Sequence, residues 1–240
     1  MPESIRIEVT PSDHVTATVY PAPAHLSAGA RLILAHGAGA GQASYFMVKF
    51  ATELAARGIE TVTFNFIYTE RGGRLPDRND RLEQCYLAVI KALGIPSPPG
   101  AVGETGTFIG GKSMGGRIAS QVVSKALCDV AGLIFLGYPL HPPGKPHQIR
   151  DESLRKAGVP MLFVQGSRDA FGTPSELSSI IDDLTGRADI FVVEHGDHSF
   201  KIPKRSVISQ DQMYTLILNE IDRWIRKTIQ TIDRGASSRS

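Results

Sequence analysis

The chain has 240 residues, of which 42% are hydrophobic and 21% charged, enough apolar material for a single domain with a full core. Its 26 Lys and Arg are nearly balanced by 24 Asp and Glu, for a net charge of +2. That balance, with the basic residues spread along the chain, excludes a dedicated nucleic-acid binder, which would gather them on one face among stacking aromatics. Met1-Pro2-Glu3-Ser4-Ile5-Arg6 lacks the basic-then-apolar pattern of a leader, and no apolar run reaches membrane-spanning length, so a soluble, cytoplasmic protein without membrane association is expected. Cys85 and Cys128 share no metal-type spacing and read as buried free thiols.

In chain order, Ile5–Val9 and Val15–Val19 alternate apolar and polar residues around Pro11-Ser12-Asp13, which predicts an antiparallel hairpin at a sheet edge. Leu32-Ile33-Leu34-Ala35 is continuously apolar, the mark of a strand covered on both faces, and it runs into His36-Gly37-Ala38-Gly39-Ala40-Gly41. A helix from Tyr45 to Arg57, a strand from Ile59 to Phe66 and a helix from Asn79 to Leu93 follow, each helix stopping at a glycine. After the proline-broken stretch 94–105 come a short strand at Thr107-Phe108-Ile109, a helix from Met114 to about Cys128 and a buried strand Gly132–Leu136. Beyond a proline-rich loop, Val159–Val164 is again strand-like. Thr173-Pro174-Ser175-Glu176 combines a capping box with proline at the first helical position, Ile190–Val193 is the last strand, and a terminal amphipathic helix carries Tyr214, Ile217, Ile221, Trp224 and Thr228 on one stripe.

Alternating strands and helices with continuously apolar strands imply an α/β domain: a doubly wound, mostly parallel sheet with helices on both faces. We expect one domain over residues 1–232 and a disordered tail over 233–240.

In such a sheet, ligands sit beyond the carboxyl ends of the strands, so the residues just after each strand carry the chemistry. One of these stretches fits two patterns. Gly111-Lys112-Ser113-Met114-Gly115 matches G-x-S-x-G, a tight strand-to-helix turn that presents a serine hydroxyl above the sheet. Gly106 to Ser113 also matches G-x-x-x-x-G-K-[ST], the phosphate-cradling loop. A phosphate loop needs its strand before the first glycine; here the strand-like Thr107, Phe108 and Ile109 fall where the loop should be, so the serine pattern is preferred.

The other strand ends supply the partners. Gly166-Ser167-Arg168-Asp169 places an acid after one strand, and Glu194-His195-Gly196-Asp197-His198 places two histidines after another. Ser113, Asp169 and His198 follow the chain order Ser, acid, His, in which imidazole takes the hydroxyl proton and the carboxylate fixes the imidazole tautomer. Either histidine could face Ser113; His198 is favoured because Gly196-Asp197 frees it to turn inward. The backbone N–H of Met114, with that of Ala38 or Gly39, would form the oxyanion hole, and His36 would organise that loop.

Taken together, His36–Gly39, Gly111–Gly116, Gly166–Gly172 and Gly196-Asp197-His198-Ser199-Phe200 resemble the α/β-hydrolase superfamily, near its dienelactone-hydrolase-like serine hydrolases. The resemblance covers roughly Leu32 to Trp224. It implies hydrolysis of a small-molecule ester or thioester with no cofactor, and it supports His198 as the base. The dienelactone hydrolases themselves use a cysteine nucleophile, so their lactone substrate is not implied.

The short connection from Tyr138 to Arg150 leaves no room for a large cap domain. Tyr68, Arg71, Arg74, Tyr138 and His141 are candidate substrate-binding walls, with solvated loop charges as the alternative and preferred reading of Arg71 and Arg74, and Lys112 is expected to point away from the site. Asp197 with the two histidines lacks a second ligand cluster, so no metal is expected. A non-catalytic hydrolase fold serving as an interaction module is the alternative reading.

Overall fold

The computed structural model describes residues 1–94, 106–184 and 188–237. The proline-broken stretch 95–105 and the last three tail positions fall outside them. The hairpin is β1 (Glu3–Thr10) and β2 (Asp13–Tyr20); the remaining strands are β3 (Ala30–Ala35), β4 (Ile59–Phe64), β5 (Gly106–Lys112), β6 (Gly132–Leu136), β7 (Met161–Gly166) and β8 (Ala188–Val193). They form one eight-stranded sheet in the order β1-β2-β4-β3-β5-β6-β7-β8. The hairpin joins β4 antiparallel at one edge, and every pairing from β4 to β8 is parallel.

The helices are α1 (Tyr45–Ala56), α2 (Ile67–Glu70), α3 (Asn79–Ala92), α4 (Met114–Ser124), α5 (Glu152–Ala157), α6 (Pro174–Asp183) and α7 (Gln210–Ser237). Two apolar layers result. On one face Met47, Phe50 and Leu54 of α1 and Ile217, Ile221 and Trp224 of α7 pack over Leu32, Leu34, Ile134 and Leu162. On the other, α3 to α6 cover Ile33, Ile109, Phe135 and Phe163. Alternate residues of each parallel strand thus face opposite layers, which is why these strands read as unbroken apolar runs. The stripe on α7 is buried as its spacing predicts, and Trp224 directs its indole N–H to Asp189 at 2.9 Å. Thr173 and Glu176 form the expected capping box.

Several boundaries move for physical reasons. The strand expected to reach Phe66 ends at Phe64; the Asn65 side chain accepts from the main-chain N–H of Gln42 and donates to Glu70, tying the strand end to two neighbouring loops. The helix expected to reach Cys128 stops at Ser124, two residues before Ala126 adopts φ 53°. The terminal helix continues to Ser237, so the residues from Asp233 onward expected to be disordered begin as helix; no proline interrupts them.

Phenolic Tyr86 ties the centre together. It is fully buried, its one O–H proton is shared between the carbonyls of Gly110 (2.7 Å) and Ile33 (3.0 Å), and its oxygen accepts from the Gly110 N–H (3.1 Å). We predict that Tyr86→Phe, which leaves these main-chain groups without that partner, lowers stability by about 1–3 kcal/mol and the melting temperature by roughly 2–12 °C; calorimetry checks this, and an unchanged midpoint would refute it.

Candidate active site

The centre of the site is the turn between β5 and α4. Ser113 has φ 50° and ψ −113°, a strained backbone for a residue with a side chain. The strain is imposed by close packing. A Cβ at Gly111 would lie 2.5 Å, and one at Gly115 2.4 Å, from the carbonyl oxygen of Ala35, so α4 can approach β3 this closely only where side chains are missing. The strand before the turn runs from Gly106, which puts the glycines of the phosphate-loop pattern inside a β-strand and removes that reading.

Three residues from distant parts of the chain meet here. Ser113 Oγ lies 2.8 Å from His198 Nε2, and His198 Nδ1 lies 2.8 Å from Asp169 Oδ2. A carboxylate only accepts, so Nδ1 carries the proton and Nε2 is left to accept from the serine hydroxyl. Asp169 is 1% exposed and also receives the Phe171 N–H at 2.8 Å and the Gln165 amide at 2.9 Å. The ring of Phe171 stacks on His198 with centroids 4.1 Å apart. Asp197 shapes the loop by accepting the N–H groups of Ser199 and Lys201. His195 is elsewhere: its side chain is exposed, its N–H donates to Ser167 and its carbonyl accepts from Arg168.

The loop after β3 lies against the turn. A methyl group at Gly37 would be 3.3 Å from the Lys112 carbonyl and 3.5 Å from Ser113 Cβ. His36 is fully buried; Nε2 accepts from the Phe66 N–H at 3.2 Å, so the proton sits on Nδ1 and is donated to the Gly37 carbonyl at 2.8 Å. Burial pushes its pKa down, which keeps the ring neutral and the bridge in this form. Tyr68 stands behind this loop, edge-on to His36, with its hydroxyl buried and without a well-formed hydrogen bond. Burial raises the phenol's pKa, opposed by the Thr69 hydroxyl and the Gly39 backbone.

Other expectations are corrected. Lys112 does not point away: its ammonium donates to the carbonyl of His198 and sits 5.1 Å from the Phe200 ring centroid. The physical reason is strand alternation at the end of β5, which sends Lys112 toward the loop after β8. Tyr138 and His141 are not free to line a substrate space beside Ser113. Tyr138 is buried between Phe135 and Phe163 with its hydroxyl donating to the Arg150 carbonyl at 2.7 Å, and His141 is buried with its ring on Glu176 (3.2 Å) and the Pro142 carbonyl (3.0 Å). Arg71 is not a free loop charge either, since it pairs with Asp13 on the hairpin.

Gln165 and Phe171 were not singled out from the sequence. Gln165 is fully buried at the end of β7, accepts the Tyr138 N–H at 2.8 Å and donates to Asp169 and to the Gly172 carbonyl at 2.7 Å, so one amide ties two loops to the acid. An amide ending the apolar run Met161-Leu162-Phe163-Val164 was its available signal.

This strand order, with a serine on a strained turn after the fifth strand and only residues 137–151 between β6 and α5, defines a hydrolase fold without a lid. The family described as alpha/beta hydrolase domain matches residues 28–226, and the chain belongs to it. Solved structures agree on the fold. A serine hydrolase without a lid from Xanthomonas campestris is 14% identical with a TM-score of 0.67, covering 96% of this chain and 94% of its own. An esterase domain from Rhodothermus marinus is 13% identical (TM-score 0.68, coverage 95% and 98%), and a dienelactone hydrolase from Anabaena variabilis is 15% identical (0.65, 93% and 96%).

Two predictions follow the geometry and need no substrate. Glycine is ordinarily less stable than alanine; at 113 the order inverts, with Ser113→Gly about 1 kcal/mol more stable than Ser113→Ala, because only glycine sits in this conformation unstrained. Urea unfolding of the two variants measures it, and equal stabilities would remove the strain argument. Lys112 has its pKa lowered from 10.5 to about 8, first by burial, against the opposing carboxylates of Asp169 and Asp197. Between those values the unfolded chain holds a proton that the native state has released, so the stability of the wild type relative to Lys112→Met rises with pH from about 8 to about 10.5, by at most about 1.4 kcal/mol per pH unit, and is flat below that window. A relative stability that falls across the window contradicts the burial of this charge.

Proposed function

We propose that the protein is a serine hydrolase that cleaves a small-molecule carboxylic ester or thioester through an acyl-enzyme. The observation that carries the proposal is the hydrogen-bonded line from Asp169 Oδ2 through both nitrogens of His198 to Ser113 Oγ, with each step at 2.8 Å.

In this reading, His198 Nε2 takes the hydroxyl proton as Ser113 Oγ bonds to the substrate carbonyl carbon, and Asp169 stabilises the resulting imidazolium. The carbonyl oxygen becomes an oxyanion that accepts from the N–H of Met114 and from that of Ala38 or Gly39. Each such donor contributes about 3–4 kcal/mol to transition-state stabilisation in comparable sites. His198 returns its proton to the leaving alcohol or thiol, the bond to the leaving group breaks, and water repeats the sequence on the acyl-enzyme.

Lys112 contributes by holding the His198 main chain, Phe171 by supporting the imidazole face, and Gln165 by fixing the carboxylate. Tyr68, buried edge-on against His36, acts in this reading by shaping the loop after β3. The absence of a lid favours small or extended acyl substrates that reach Ser113 from solvent. Among the described residues, no helix is long and apolar enough to cross a membrane.

Two assays test the proposal. A fluorophosphonate probe labels the wild type and not Ser113→Ala; labelling of both, or of neither, refutes serine catalysis and favours the non-catalytic module. On p-nitrophenyl and thioester acyl substrates of graded chain length, His198→Ala lowers kcat/KM by about 10³ or more; retention of activity would exclude His198 as the base.

A further inference from the structure

The loop after β3 is clamped at both ends by two consecutive residues that follow β4. At its start, the Phe66 N–H donates to His36 Nε2 at 3.2 Å. At its end, the main-chain N–H of Gln42 donates to Asn65 Oδ1 at 3.0 Å. Between the two clamps lie Gly37, packed against Ser113, and Gly39, whose φ of 73° lets the chain turn back. The Ala40 N–H closes that turn on the Gly37 carbonyl at 3.3 Å. Gly41 passes so near the second clamp that a Cβ there would be 3.2 Å from Asn65 Oδ1 and 3.1 Å from the Thr69 methyl group. Pairing of β3 with β4 ends at Ala35 and Phe64, so beyond that point the loop depends on these side-chain bonds.

The Asn65 amide has one workable orientation. Its Nδ2 donates to Glu70 Oε2 at 3.0 Å, and a carboxylate only accepts, so Oδ1 is the atom left to face Gln42. Glu70 is held in turn from the edge hairpin, where the Thr16 hydroxyl donates to its other oxygen. Burial acts to raise the Glu70 pKa, but the Thr16 hydroxyl and the Asn65 amide outweigh it and bring the pKa down, so the acceptor stays ionised at neutral pH. The Thr16 carbonyl accepts from the Asn65 N–H at 3.0 Å and from the Gln42 side-chain amide at 2.9 Å, and Gln42 Oε1 accepts from Thr63 at 3.2 Å. Gln42 and Thr63 are both buried. A line of hydrogen bonds thus runs from β2, which carries none of Ser113, Asp169 and His198, to the loop beside Ser113.

On the serine-hydrolase reading, on which this inference rests, that loop supplies one of the two oxyanion donors. We propose that Asn65 is a positioning residue for the reaction: it holds the far end of the loop through the Gln42 N–H, with Glu70 fixing its amide, and so sets where the Ala38 and Gly39 N–H groups lie. Misplacing a catalytic group by about 1 Å can cost about a hundredfold in rate. A contact made in the transition state alone lowers kcat when it is lost and leaves KM in place.

Steady-state kinetics on a p-nitrophenyl ester test the proposal, together with inhibition by a trifluoromethyl ketone, whose tetrahedral adduct with serine places an oxyanion on the same donors. Asn65→Leu removes the acceptor. It lowers kcat by about tenfold to a hundredfold with KM within about threefold of the wild type, and it weakens the ketone by the same factor as kcat. Asn65→Asp keeps the acceptor for Gln42 but sets two carboxylates against each other, and kcat again falls by about tenfold. Adding Glu70→Gln to that variant supplies an amide that donates to the new carboxylate and accepts from Thr16, which restores kcat to within about threefold of the wild type. Unchanged kcat in Asn65→Leu, a loss confined to KM, ketone affinity that does not follow kcat, or a double variant no better than Asn65→Asp would each overturn the assignment. Where Asn65→Leu folds poorly, the comparison of Asn65→Asp with the double variant still decides. Fluorophosphonate labelling separates this inference from the reading beneath it. Ser113-dependent labelling alongside any of those results leaves serine catalysis in place and removes the role of Asn65, whereas labelling that is absent or independent of Ser113 removes both.

Discussion

Everything at the candidate active site depends on how closely α4 crosses the end of β3. The Ala35 carbonyl occupies the space that side chains on Gly111 and Gly115 would need. That contact leaves the intervening residue in a conformation that neither helix nor strand would choose. The backbone strain at Ser113 is offset by the buried core on both sides of the turn, where Ile109, Phe135 and Ile118 are sealed from solvent. A serine on an ordinary helical N-terminus would turn its hydroxyl back to cap the helix; here it makes no such cap and the hydroxyl is left for His198.

Around this turn, the buried polar groups of His36, Gln165 and Lys112 each have a defined partner, whereas the Tyr68 hydroxyl lacks a well-formed one. His36 bridges the loop after β3 to the start of α2 as a neutral ring, Gln165 joins the acid to two loops, and Lys112 anchors the loop that carries His198. A buried charge or amide is costly unless satisfied, so each of these groups admits few alternative arrangements. The site is thereby held by a frame that begins in the sheet and ends at imidazole.

The architecture was largely legible in the chain. Continuous apolar runs marked the parallel strands, alternation marked the edge hairpin, and glycines or a capping box marked helix ends. Errors concerned boundaries, side-chain direction and the short helix α2, too brief to show a periodicity. Lys112 was misread because a polar residue next to a candidate nucleophile looks solvated in a sequence, whereas the end of β5 turns it toward a loop 86 positions away. Tyr138 and His141 follow β6 as the fold requires, yet packing with Phe163 and the contact with Glu176 claim them first.

What the residues alone settled was the order of elements and which strand ends carry serine, acid and histidine, because periodicity and glycine spacing are local properties. What only the folded chain decided was distance and occupancy: that His198 rather than His195 lies beside Ser113, and that Gln165 and Phe171 hold the acid and the imidazole. Those facts arise from contacts between residues far apart in the chain, and such contacts are set by the sheet order and the packing of both helical layers.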